Sequence, residues 1–125
     1  MRYLLHVVFL FFGFAIVAQQ QTISSKMTVA EIQKEAKSGH FQWIFPAGTT
    51  SESIDNLAKY YTTSFSYTFN AASKCVDVFP VVDSENTRRV MLRFLGANQV
   101  HQILVGNETL ALYAFYEKFM KYDGQ

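Results

Sequence analysis

Ser64-Phe65-Ser66-Tyr67-Thr68-Phe69-Asn70, then Ala71-Ala72-Ser73, then Lys74-Cys75-Val76-Asp77-Val78-Phe79-Pro80-Val81-Val82, is the stretch that decides the fold class. Phe65, Tyr67 and Phe69 alternate with Ser66 and Thr68, the period of a strand with one buried and one polar face. Asn70 to Ser73 suits a hairpin loop, and beyond it Val76 and Val78 oppose Cys75, Asp77 and Phe79 in a second strand. Pro80 cannot donate to a ladder, so it belongs at an end or an edge.

The flanking sequence extends the pattern both ways. Upstream, His40 to Phe45 alternates with Phe41, Trp43 and Phe45 on one face, until Pro46 and Gly48 end it. Thr49 and Glu52 have capping-box spacing for a helix over about residues 51–61, with Ile54, Leu57, Ala58 and Tyr61 on one face. Earlier still, Thr28 and Glu31 form the same box, with Met27 and Ile32 as its apolar staple and Gly39 as the left-handed stop, so a helix is expected over about 29–38. Downstream, Asp83 or Ser84 caps a helix through Leu95, with Val90, Met91, Phe94 and Leu95 inward and Gly96 as its stop. Val100 to Val105 reads as the last strand. Asn107 reads as the cap of a final helix reaching about Tyr122, and as an N-cap it needs no reading as a glycosylation sequon.

The resulting order is helix, βαββαβ, helix. The central six elements match the ferredoxin-like split βαβ, so the expected fold is α+β: a ferredoxin-like βαββαβ antiparallel four-stranded sheet with added N-terminal and C-terminal helices. Ser66, Thr68, Asp77 and Gln102 make the open sheet face partly polar, and the two added helices are available to cover the rest. Residues 40–105 resemble, in element order, the heavy-metal-associated domain family. Phe45-Pro46-Ala47-Gly48-Thr49-Thr50-Ser51-Glu52-Ser53 stands where that family carries its first-loop Gly-Met-x-Cys-x-x-Cys. Both cysteines are missing, so the resemblance implies a fold and not that family's soft-metal trafficking.

The N-terminus carries an address. Arg2, an apolar run from Tyr3 to Val17, and Ala18 before Gln19-Gln20-Gln21 have the layout of a cleaved secretory signal peptide, and the run is short for a membrane-spanning helix. The expected organisation is a signal over 1–18, a flexible polar leader over 19–26 and one domain over 27–125, secreted or periplasmic, meeting a membrane only during export. Of 11 Lys and Arg, Arg2 leaves with the signal, and the rest balance 10 Asp and Glu. Without a basic excess nucleic acid is set aside. A single Cys75 allows no intrachain disulfide and reads as a small buried hydrophobe.

Three side-chain groups are candidates for function. The final helix, with Tyr113, Phe115, Tyr116, Phe119 and Met120, is apolar nearly all round, which suggests burial on two sides and a contact with another protein or a second copy. Arg88, Arg89 and Arg93 could meet an anion or an acidic partner, although Glu85 one turn before Arg89 suits a solvated helix face. Cys75 with His101, and more remotely His40, could hold a metal, although strand parity places Cys75 and His101 on opposite faces. The Gly48-Thr49-Thr50-Ser51 turn could receive an anion but lacks the glycines and Lys of a phosphate loop. No nucleophile–base set or carboxylate pair emerges, and His101 as a general base has nothing specific behind it. The expectation is a small exported, non-catalytic interaction or ligand-binding module without a cofactor, the alternative being metal handling through Cys75 and a His.

Overall fold

Gln21–Ser25, placed by its polar composition in a loose leader, is a central strand. This computed structural model describes residues 20–124, so the expected signal over 1–18 lies outside the described residues. In chain order the elements are β1 (Gln21–Ser25), α1 (Val29–Glu35, tightened into a 3₁₀ turn over Ala36–Ser38), β2 (Phe41–Ile44), α2 (Ser51–Ala58), β3 (Phe65–Asn70), β4 (Cys75–Pro80), α3 (Glu85–Ala97), β5 (Val100–Val105), β6 (Glu108–Ala111) and α4 (Leu112–Phe115, running on as a π-helical turn over Tyr116–Met120). No helix among the described residues is long and apolar enough to cross a membrane.

The six strands form one sheet in the order β3-β4-β2-β1-β5-β6. All neighbours are antiparallel except β1 and β5, which run parallel from Gln21 beside Val100 to Ser24 beside Leu104. This corrects the ferredoxin-like expectation. That arrangement pairs β5 directly with β2; here β1 lies between them, making the sheet mixed, and β6 extends it by a further strand. β1 escapes the periodicity test because Ile23 alone enters the core, while its ladder partners on both sides stabilise the polar remainder.

The interior forms on one side of the sheet. Phe41, Trp43 and Phe45 from β2 and its exit, Phe65 from β3, Val76 and Val78 from β4, and Ile103 from β5 are buried with Ile32, Ile54, Phe94 and Met120 from the helices. Trp43 stacks on Phe41 at 5.6 Å and meets the edge of Phe115 at 6.4 Å, so α4 packs on the same sheet face as the others. The helices that were available for the open face therefore leave it uncovered.

Local capping follows the sequence with two shifts. Thr28 and Glu31 form the expected box at α1. At α2 the box moves one residue, to Thr50 and Ser53, because the Thr49 N–H closes a turn onto the Pro46 C=O at 3.0 Å. Gly96 stays helical, and α3 ends instead at Asn98, before Gln99 with φ 62°. The larger correction is at the C-terminus. Gly106, with φ 59°, and Asn107 turn a hairpin, so Glu108–Ala111 is a strand and Asn107 caps no helix.

Ile23 is 1 % exposed. Ile23→Ala is expected to lower stability by about 3 kcal/mol, since a core Ile loses both its transfer energy and its packing. Urea unfolding measures this, and an unordered leader would leave the midpoint unmoved.

Candidate functional site

The expected interaction surface on the last helix is mostly interior. Phe115, Tyr116, Phe119 and Met120 are buried, and of the five named residues only Tyr113 faces solvent. Their positions form one helical stripe, which the core consumes. Read as helix, the apolar surface was carried further round by Leu110, which belongs to β6 and packs against the core from the sheet. Tyr113 and Tyr116 do meet Arg89 of α3 in a surface groove, but its charges are matched internally. Arg89 pairs with Glu85 at 2.8 Å and Lys121 with Glu117 at 3.5 Å. The Tyr113 hydroxyl, hydrogen bonded to Glu117, is held above its usual pKa.

The arginines do not act as a cluster. Arg93 and Arg89 are exposed, whereas Arg88 is 3 % exposed and engaged within the chain. Its Nε and one terminal nitrogen each donate to Asp83 at 2.7 Å, the other terminal nitrogen donates to the Met120 C=O at 3.0 Å, and a further bond reaches the Ala36 C=O. Phe41 and Tyr122 flank the guanidinium at 5.5 and 5.6 Å. Four of its five N–H donors serve the fold, and a side chain this buried offers almost no surface to an incoming anion.

Cys75 and His101 are not brought together. They stand on β4 and β5, with β2 and β1 between them, three strand spacings or about 14 Å across the sheet, and the row of Cys75 reaches Leu104 rather than His101. Burial, reinforced by Asp77, pushes the Cys75 thiol above its usual pKa, against a partial pull from Lys26, which disfavours the thiolate that a soft metal needs. His40 lies at the other end of β2 from the Cys75 pairing, its ring nitrogens 3.2 Å from Glu35 and 2.9 Å from Asp77, stacked on Phe79 at 4.3 Å. Among the described residues no group of three His, Cys, Asp or Glu side chains could hold a metal ion.

What the structure does assemble is a pocket of about 440 Å³ where β1 begins, β2 leaves the sheet and α3 turns into β5. Phe45, Pro46 and Leu57 supply apolar wall; Thr49, Ser53, Asn98 and Gln99 supply hydroxyl and amide groups; Gly48 lies at the rim. The pocket's geometry is fixed by its own chain. Gln21 donates its backbone N–H to the Gln99 C=O and its side-chain amide to the Asn98 C=O, each at 2.7 Å. The Asn98 amide is in turn bound to the Phe94 C=O at 2.8 Å. From outside the lining, the Lys74 ammonium donates to the Thr49 C=O at 2.8 Å, pinning the loop before α2. No lining side chain is titratable.

Sequence reasoning reached this place only through the Gly48–Ser51 turn, read as a helix cap. Gln21 fell in the supposed leader, and neutral amides in a turn form no motif. The one local sign, a left-handed Gln99, shows only in the backbone. No protein-family model matches the chain, and neither a curated protein nor a solved structure matches it.

Substitutions at three positions test these assignments. Arg88→Met is expected to cost about 3 kcal/mol or more, because Asp83 and two carbonyls lose their donor, and Arg88→Lys should recover less than half of it, since one ammonium cannot replace the fork. Arg93→Ala should stay within about 0.5 kcal/mol in the same urea titration. Gln99→Gly is expected to stabilise by about 0.5–1 kcal/mol through relief of the left-handed backbone, read as a rise in midpoint.

Proposed function

We propose that this chain is a small exported, non-catalytic binding module, and that the pocket between β1, the loop before α2 and the α3–β5 turn takes a neutral ligand bearing hydroxyl or amide groups. The observation that carries this reading is the chemistry of the lining. Amide and hydroxyl side chains both donate and accept, so they match ligand groups that do the same. A charged ligand would enter the site without a counter-charge among the lining side chains, at a desolvation cost that nothing there offsets. Phe45 and Leu57 offer the apolar surface that the carbon faces of such a ligand would cover, and the volume lies in the usual range for small-molecule sites.

The same lining supports binding over catalysis. General acid–base chemistry needs a group that exchanges a proton near the working pH, and Gln21, Thr49, Ser53, Asn98 and Gln99 offer none. Ser53 is occupied as a cap, exchanging hydrogen bonds with Thr50 at 3.1 and 3.2 Å, and has no adjacent base.

Titration of the ¹⁵N-labelled protein with a panel of neutral mono- and disaccharides, N-acetylated sugars among them, tests the proposal. Amide shifts should gather at Gly48, Thr49, Ser53, Asn98 and Gln99. Gly48→Leu should abolish them with the fold unchanged, since a Cβ at Gly48 meets no atom within 4 Å and the backbone there is ordinary. Unmoved pocket amides with the neutral panel, set against movement with anionic sugars, would overturn the neutral-ligand reading.

A further inference from the structure

The two edges of the sheet are protected unequally. β6 is short, carries Glu108 and runs directly into α4, all features that deter another strand. β3 is six residues long, has no charge and no proline, and pairs with β4 without a bulge. Its outer side has no strand beside it among the described residues. Val81 donates to the Ser64 C=O at 2.9 Å, which sets the alternation of the ladder. Ser66, Thr68 and Asn70 turn their backbone groups toward β4; Phe65, Tyr67 and Phe69 turn theirs outward. The Phe65 N–H is taken by the Tyr61 C=O at 3.2 Å and Phe65 is 0 % exposed, so the free edge presents the backbone groups of Tyr67 and Phe69.

We propose that β3 pairs antiparallel with β3 of a second copy about a two-fold axis at Thr68, making one continuous sheet through a homodimer. The register is self-complementary. With Tyr67 opposite the partner's Phe69, each such pair exchanges N–H and C=O groups, and the two-fold repeats the pair on the other side of the axis. A one-residue slip would set outward groups against inward ones and lose these bonds. The same register places Tyr67 opposite Phe69 on the helix-covered face and Thr68 opposite Thr68 on the open face, aromatic with aromatic and hydroxyl with hydroxyl. An isologous contact requires this matching of a surface with itself.

Charge also favours a second copy. β3 brings no like charges together, and Asp77, one strand inward, would stand three strand spacings or about 14 Å from its mate, beyond the ~8 Å screening length at physiological salt. On the helix-covered face Asp55 accepts the Tyr67 hydroxyl at 2.5 Å, and Lys59 follows one turn later, so each copy brings both signs toward the axis. Burial and that bond push the Tyr67 phenol up to about 12, so it stays a neutral donor.

Sedimentation equilibrium of the purified full chain tests the proposal. A concentration-dependent dimer is expected, and Ser66→Lys with Thr68→Lys should convert it to a monomer of unchanged circular dichroism. Both positions are exposed, and a lysine at 68 faces Asp77 within its own chain. A monomer at every concentration reached, or a dimer that survives both lysines, overturns it. Register has its own test, which does not depend on the lysine variant. Thr68→Cys chains should cross-link with one another under mild oxidation while Ser66→Cys chains should not, because only position 68 lies directly opposite itself. Equal cross-linking in the two samples overturns the two-fold register.

Discussion

The Arg88 guanidinium is the constraint on which one whole end of the molecule depends. From the first turn of α3 it binds Asp83 in the preceding loop, the carbonyl that ends α1 and the carbonyl that ends the π-helical turn after α4. Helix C-termini leave carbonyls without intrahelical donors, and a buried cation with a rigid fork of N–H groups satisfies two of them together. Gly39 belongs to the same knot. Its φ is 79°, and a Cβ there would stand 2.7 Å from Pro80 and 2.9 Å from the Asp83 carboxylate, so the left-handed exit from α1 is what lets Asp83 approach. The charge is thus confined to structure at the end of the sheet farthest from the pocket.

The legible parts of the fold were those in which a local rule and the tertiary structure agree. The alternation of Phe41, Trp43 and Phe45, the Thr28–Glu31 box and the β3–β4 hairpin each carry their own signal, and each stands where the sequence placed it. The illegible parts are those stabilised only by neighbours. β1 has one apolar residue inward and is a strand because β2 and β5 flank it. Leu110 looks like another turn of helix until Gly106 and Asn107 reverse the chain ahead of it, and that reversal converts an apparently two-sided helix into a one-sided one. The site was less legible still. Charge, sulfur and aromatic density drew attention to Arg88, Cys75 and Phe119, all buried, whereas the pocket is built from Gln, Asn, Thr and Ser that occur in any surface turn.

The misread strand and the missed pocket have one cause. A four-stranded antiparallel sheet would set β5 against β2, and the α3–β5 turn would sit directly beside the loop that leaves β2. Inserting β1 moves β5 outward by a strand spacing, about 4.8 Å, and opens the space between that turn and the start of α2. The inserted strand also shapes the space it creates. Gln21, its first residue, fixes Asn98 and Gln99 by two hydrogen bonds, and these bonds hold Gln99 in a backbone region that a non-glycine residue seldom occupies. α3, about 20 Å long, spans from the Arg88 knot to this turn, so the rigid end positions the pocket end. A strand held by its ladder partners rather than by its own composition therefore sets both the topology of the sheet and the shape of the pocket at its end.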